Sequence, residues 1–600
     1  MEKRRKKITA IVISIIIIII LVIAISYAFF RTELTGKEGI VKIGELDLVL
    51  NETSEGISLD KAIGLSDSEG MKLTPSTFEL RNNGNNSVDY TIYLDDNTIS
   101  DSYTRIDDKY LKYNLVKNNK STGASLLTST GTNPNRVLDS GTIEGGGTNT
   151  YSLNLWITDE VDGNYSGQVF SGKLRVEVSQ EKVKPNEPIL DEGMIAVRYN
   201  GNDWVKTDID NNWYNYDSGE WANAVTVSSE TRDTYKSASI GTVVNMDDIE
   251  TMWVWIPRYS YSIGSEDGTN YYGKQGEYLD TTPTLALPGE IDIKFVSENK
   301  KDRGTAKYVV NDGIKDNSWY TPDAFTFGDE ELSGIWVGKF ETSSSNPSAP
   351  YGGGNTTELD AMIKPNVTSW RGINVSNAFN VSLKMNDERN RYGFTDITDT
   401  HMMKNSEWAI VAYLSQSKYG KLGNTNFTGA NKEIYQNKSD QYITGCSYGS
   451  PSNGNTDYGC QYTYDIDING TGASTTGNIY GIYDMSGGSW EYVMGNYNDM
   501  VGNSGFITMP DSIYYDKYTS SDTNMVCNEN ECISHSLSEA TGWYQDYYTM
   551  INNNYPWFVH SGHYGDNNGA GLFYYSYAGV KGEIGINGSF RLVAAIGGNA

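Results

Sequence analysis

The chain has 600 residues, and 76 Asp and Glu against 47 Lys and Arg leave a formal net charge of −29, dispersed rather than gathered in one tail. That balance argues against nucleic acid or anionic lipid as a partner of any exported part, since both need a basic footprint. It favours divalent cations, for which carboxylates are hard oxygen ligands, although a solvated, self-repelling surface accounts for most of these side chains.

In chain order, residues 1–7 carry Lys3, Arg4, Arg5, Lys6 and Lys7, and the uncharged run 8–30 follows. As a helix that run would extend roughly 34 Å, enough to cross a bilayer. The pattern predicts a cytoplasmic basic tip at 1–7 and a transmembrane helix or signal anchor at 8–30, with the bulk of the chain outside a cell membrane. Ser26 and Ala28 stand where a signal peptidase would need small residues, so a cleaved, secreted form is the alternative.

Residues 31–179 read as short strands. Tyr151, Leu153, Leu155 and Ile157 alternate with Ser152 and Asn154, and an Asn-Gly cluster at 82–86 separates two strand-like runs. The spacing predicts an immunoglobulin-like β-sandwich acting as a spacer. Residues 180–193, with Pro185 and Pro188 among charges, read as a linker. A second domain occupies 194–600, with its core at 250–600.

Cysteine appears only as Cys446, Cys460, Cys527 and Cys532. An even count in an exported segment suggests two local disulfides, Cys446 with Cys460 and Cys527 with Cys532, out of three possible connectivities.

Five blocks follow one another in this second domain: MWVWIPRYSYSI at 252–263, GIWVGKFETS at 334–343, MKNSEWAIVAYLSQSKYG at 403–420, GNIYGIYDMSGGSWEYVMG at 477–495 and GSFRLVAA at 588–595. The third has the spacing of an amphipathic helix, with Ser406 as its N-cap and Gly420 as its stop. In this order the blocks resemble the formylglycine-generating enzyme family, built on a C-type-lectin-like fold. The fold class expected for the whole chain is therefore α+β: an N-terminal transmembrane helix, an immunoglobulin-like sandwich, then a lectin-like domain of this type.

The resemblance implies a copper-dependent oxidase with two late cysteines between an Arg-Gly-Gly-Ser segment and the closing strand. Here the matching segment at 557–564 lies after Cys527 and Cys532 and contains no cysteine, so the catalytic pair does not carry over, and neither copper nor enzymatic activity is expected. The four histidines show no three-ligand spacing. Calcium, in a structural role, is the expected cofactor: Asp465, Asp467 and Asn469 place oxygen donors at alternate positions before Gly470. The resemblance nominates Glu491 for such a site, with Gly488 where the family has Asn.

The C-terminal segment is rich in Tyr, Asn, Gly and Ser, and Trp557, His560, His563, Tyr564, Phe573, Tyr575 and Tyr577 are its candidate ligand-binding residues. Rigid aromatic faces among small polar residues are the chemistry of binding surfaces, and the arrangement resembles the diversified C-terminal region of lectin-fold proteins. The functional expectation is a membrane-anchored bacterial surface protein that binds a glycan or protein ligand, or serves in adhesion, without catalysis. The alternatives are a copper oxidase using Cys527 and Cys532, and a structural surface or matrix subunit.

Overall fold

A computed structural model of the chain describes residues 32–597 apart from 36–37, 44–45, 53–56, 60–63, 83–87, 100–102, 134–135, 144–145, 160–167, 181–184, 264–286, 307–309, 312–313, 316–318, 452–456, 520–526 and 528–529. The expected basic tip and apolar span lie outside the described residues. Among those that are described, no helix is long and apolar enough to cross a membrane. The longest α-helix among the described residues, Asn405–Ser415, has 11 residues, about half the number a bilayer requires. The single-pass anchor and the cell-membrane location drawn from it thus find no support among the described residues.

The fold class is corrected as well. With 34% strand and 15% helix the protein is mostly β rather than α+β. Among the described residues the helices are short because Gly, Asn and Ser interrupt the apolar runs after one to three turns, and the longest run of helix formers there is the one at 405–415.

Two compact units divide at Lys182 and Val183, among the prolines and charges that cannot form a packed element. In the first, strands 32–35, 168–180, 88–96 and 137–143 form one sheet, and 120–121, 111–117, 148–158, 76–82, 46–52 and 38–43 form another. Alternate residues of both sheets, Ile92, Leu94, Leu174 and Val176 from one and Phe78, Leu80, Tyr151 and Leu153 from the other, share one buried core.

The second unit is built on a seven-stranded sheet in the order 204–206, 194–199, 223–227, 249–257, 334–338, 592–596, 398–402. A five-stranded sheet gathers 516–518, 490–497, 557–560 and 575–576, with 588–590 against 490–492. Loops make up much of the rest, and buried indoles pin them. Trp221 donates to Tyr419 O, Trp336 to Ile189 O, Trp370 to Gly354 O, Trp408 to Leu572 O and Trp557 to Val501 O. A buried indole N–H needs an acceptor, and here each one satisfies a carbonyl of irregular backbone.

The helix at 405–415 is buried on every side, not amphipathic as its spacing suggested; a helix enclosed all round has no solvent face to keep polar. Its N-cap is Lys404, whose backbone N–H is accepted by Glu407 at 2.7 Å, and Ser406 instead donates its N–H to Asp516. No helix directly follows Glu341; the chain runs into a short strand at Ser343–Ser344.

Candidate functional site

The block at 477–495 is a junction of buried charge. Gly487 and Gly488 are left-handed, with φ of 77° and 71°. A Cβ on Gly487 would stand 2.3 Å from Asn437 O, and one on Gly488 2.7 Å from Glu341 Oε1, so only glycine lets the chain cross here. Past this crossing, Glu341 Oε1 accepts Ser489 N–H at 2.8 Å. Asp484 accepts from the Asn437 amide and from Gly445 N–H. Glu491 meets Arg591 through both oxygens, at 2.8 and 2.5 Å, with both side chains fully buried. Arg591 also donates to Gly338 O and Tyr483 O, and Lys339 gives its three N–H bonds to Asn223 Oδ1, Ile479 O and Gly481 O.

Burial raises the pKa of all three carboxyls, with Glu491 pushed up to about 7 against the pull of Arg591. These groups tie the block to Lys339 and Glu341, just after the strand at 334–338, and to Arg591, between the strands at 588–590 and 592–596.

The calcium expectation does not fit this geometry. Glu491 has both oxygens committed to a guanidinium. Asp465 and Asp467 are exposed, the first accepting from Thr463 Oγ1 and the second from Asn469 N–H at the start of a short helix. Copper fares no better: Cys527 and Cys532 are joined in a disulfide, as are Cys446 and Cys460, and no free thiol remains. Glu531 lies beside the Cys527–Cys532 pair, but disulfide sulfurs are not thiolate ligands.

The expected ligand-binding residues separate into two groups. Trp557, Phe573 and Tyr575 are core, and His560 is buried with its Nε2 at Asn405 Oδ1 and its ring stacked on Trp408. Burial lowers the His560 pKa to about 3, so it is neutral. Ser561 and Gly562, both left-handed, turn the chain between the two histidines, and His560 and His563 do not act as a pair. Tyr577 is half-buried, stacked on Tyr555.

His563 and Tyr564 do reach a surface. The His563 ring lies between Trp490, with centroids 5.0 Å apart, and Tyr564, at 4.9 Å. Asp566 holds this stack, accepting the Trp490 indole N–H at 2.9 Å and the His563 backbone N–H at 2.9 Å. Tyr564 meets Tyr442 and Tyr458 edge-on, each at 5.2 Å, and Arg371 lies 3.6 Å from the Tyr442 centroid. Tyr351 and Tyr458 are 48% and 43% exposed, which makes the face accessible.

No family model and no curated protein matches this chain. Its function therefore has to be argued from this face.

Residues 351, 371, 442 and 458 escaped the sequence reading because they lie about 100 to 210 positions before Tyr564 and carry no local motif. Asp566 had a signal, standing three residues after His563 beside a turn glycine.

A second buried cluster concerns stability. His401 is fully buried between Asp399, 2.8 Å from Nδ1, and Glu407, 3.0 Å from Nε2. Burial alone would lower its pKa, but the two carboxylates outweigh it and raise it to about 9; the same contact, with Lys404, holds Glu407 near 2. For histidine the stabilisation is fully present below the unfolded value of about 6.5 and lost as pH rises through 9. For Glu407 it is present above about 4.5 and lost as pH falls toward 2. Stability should therefore decline between pH 6.5 and 9, and His401→Gln should flatten that decline in urea titrations; an equally steep variant would refute the assignment.

Proposed function

We propose that this chain is an exported, non-catalytic binding protein whose 183–600 unit presents the Trp490–His563–Tyr564 face to a glycan or protein ligand on a lectin-like scaffold resembling the formylglycine-generating type. The observation that carries this reading is the prebuilt stack. Three rings are held face to face and locked by Asp566 before any ligand arrives, which removes much of the ordering cost of binding. Pairing of all four cysteines supports an oxidising compartment and a scaffold without its family's chemistry.

The test is a screen of the full chain against glycan and cell-surface protein panels. Trp490→Ala and Tyr564→Ala should weaken whatever binds by tenfold or more, the loss of about 1.4 kcal/mol or greater expected for an aromatic anchor, with the circular dichroism spectrum unchanged. Binding indifferent to both substitutions, or turnover of thiol peptides by the wild type, would sink the reading.

A further inference from the structure

The surface around Tyr564 contains two cations drawn into an otherwise acidic protein. Arg371 is only 9% exposed. Its Nη1 donates to Ile586 O at 2.6 Å, its Nε has no acceptor, and among the described residues it forms no ion pair. Lys438 is 1% exposed, its Nζ 4.9 Å from the Tyr448 centroid and 5.6 Å from that of Tyr458. Tyr442 and Tyr458 flank Tyr564, so the Tyr564 ring stands between the two cations. Burial lowers the pKa of both groups. Lys438 donates to Asn567 Oδ1 at 3.3 Å and feels the charge of Asp457; holding Arg371 in place costs desolvation that its ring contacts repay only in part, and an incoming anion would supply its missing countercharge.

The rings decide what carries that anion. Tyr351, Tyr458, Trp490 and Tyr564 offer flat, partly exposed faces suited to the C–H faces of a pyranose. A peptide adding as a strand would need a free edge. The strand that begins at Trp490 has none there, being paired with 588–590 on one side and, from Glu491, with 557–560 on the other.

Building on the binding reading above, we infer that this face takes an anionic saccharide, its carboxylate directed at Arg371 and its ring packed on the Tyr564 and Tyr458 side chains. The test uses the full chain with a panel of uronic- and sialic-acid oligosaccharides, the methyl esters of the same compounds, and polyglutamate. At least one acidic saccharide should bind about tenfold or more tightly than its ester, and that gap should shrink as salt rises from 50 to 500 mM. Arg371→Gln should abolish the gap. Should that variant misfold, the salt dependence of the wild type and the loss of binding in the exposed-site variant Tyr458→Ala still decide.

If no acid outbinds its ester, or if polyglutamate binds as tightly as the best saccharide, the inference is overturned. Should Trp490→Ala still abolish binding of some other ligand in that case, the binding function stands without it.

Discussion

Arg591→Met should destabilise the 183–600 unit by about 3–5 kcal/mol, the cost of breaking a buried ion pair from one side. Glu491 would keep its place, fully buried, without the guanidinium that meets both its oxygens. Gly338 O and Tyr483 O would each lose a donor. Asp484 raises the Glu491 pKa further, so the orphaned carboxyl would fold as the neutral acid. Its penalty grows as pH climbs above the unfolded carboxyl value near 4.5, where the unfolded state releases the proton and the folded state keeps it. The variant should therefore lose less at pH 5 than at pH 8.

Adding Glu491→Gln should recover part of the loss, because an uncharged buried pair carries no uncompensated charge. Tryptophan fluorescence in urea is the measurement: 12 of the 13 tryptophans lie beyond residue 182, leaving Trp156 alone in the first unit. A midpoint unchanged at pH 8 would show that the pair contributes nothing.

Gly487→Ala should cost about 2–5 kcal/mol. A left-handed conformation costs an L-residue about 1–2 kcal/mol, and overpacking adds about 1–3. The overlap here is severe, since the new methyl would meet Asn437 O at 2.3 Å, a backbone atom that cannot rotate away. Asn437 in turn holds Asp484 and accepts the Gly488 N–H, so a displaced Asn437 disturbs the same charged junction as Arg591→Met. Gly459→Ala is the control, left-handed at φ of 132° but with open space around its Cβ; it should show the conformational cost without the collision. Equal losses in the two variants would remove the steric argument.

Local patterns in the sequence were enough to mark the strand at 148–158 and the helix at 405–415, because alternation and helical spacing act within a few residues. The burial of that helix was not legible, since a sequence window reports which residues are apolar and not how many layers cover them. Cysteine spacing proposed two local pairs but could not choose among connectivities; the chain path that brings Cys446 to Cys460 did that.

The candidate site divides along the same line. His563, Tyr564 and the glycine pair at 487–488 could be picked out by residue type, yet His560, Trp557, Phe573 and Tyr575 looked the same and proved to be core. Aromatic residues serve a core and a binding face equally well, and exposure alone separates the two uses. Glu491 likewise looked like a metal ligand until Arg591, 100 residues later, was found against it. The sequence by itself determined which side chains could stack, staple or pair. Long-range packing decided which did, because contacts among residues 371, 442, 490 and 564 exist only once the sheets and loops between them are in place.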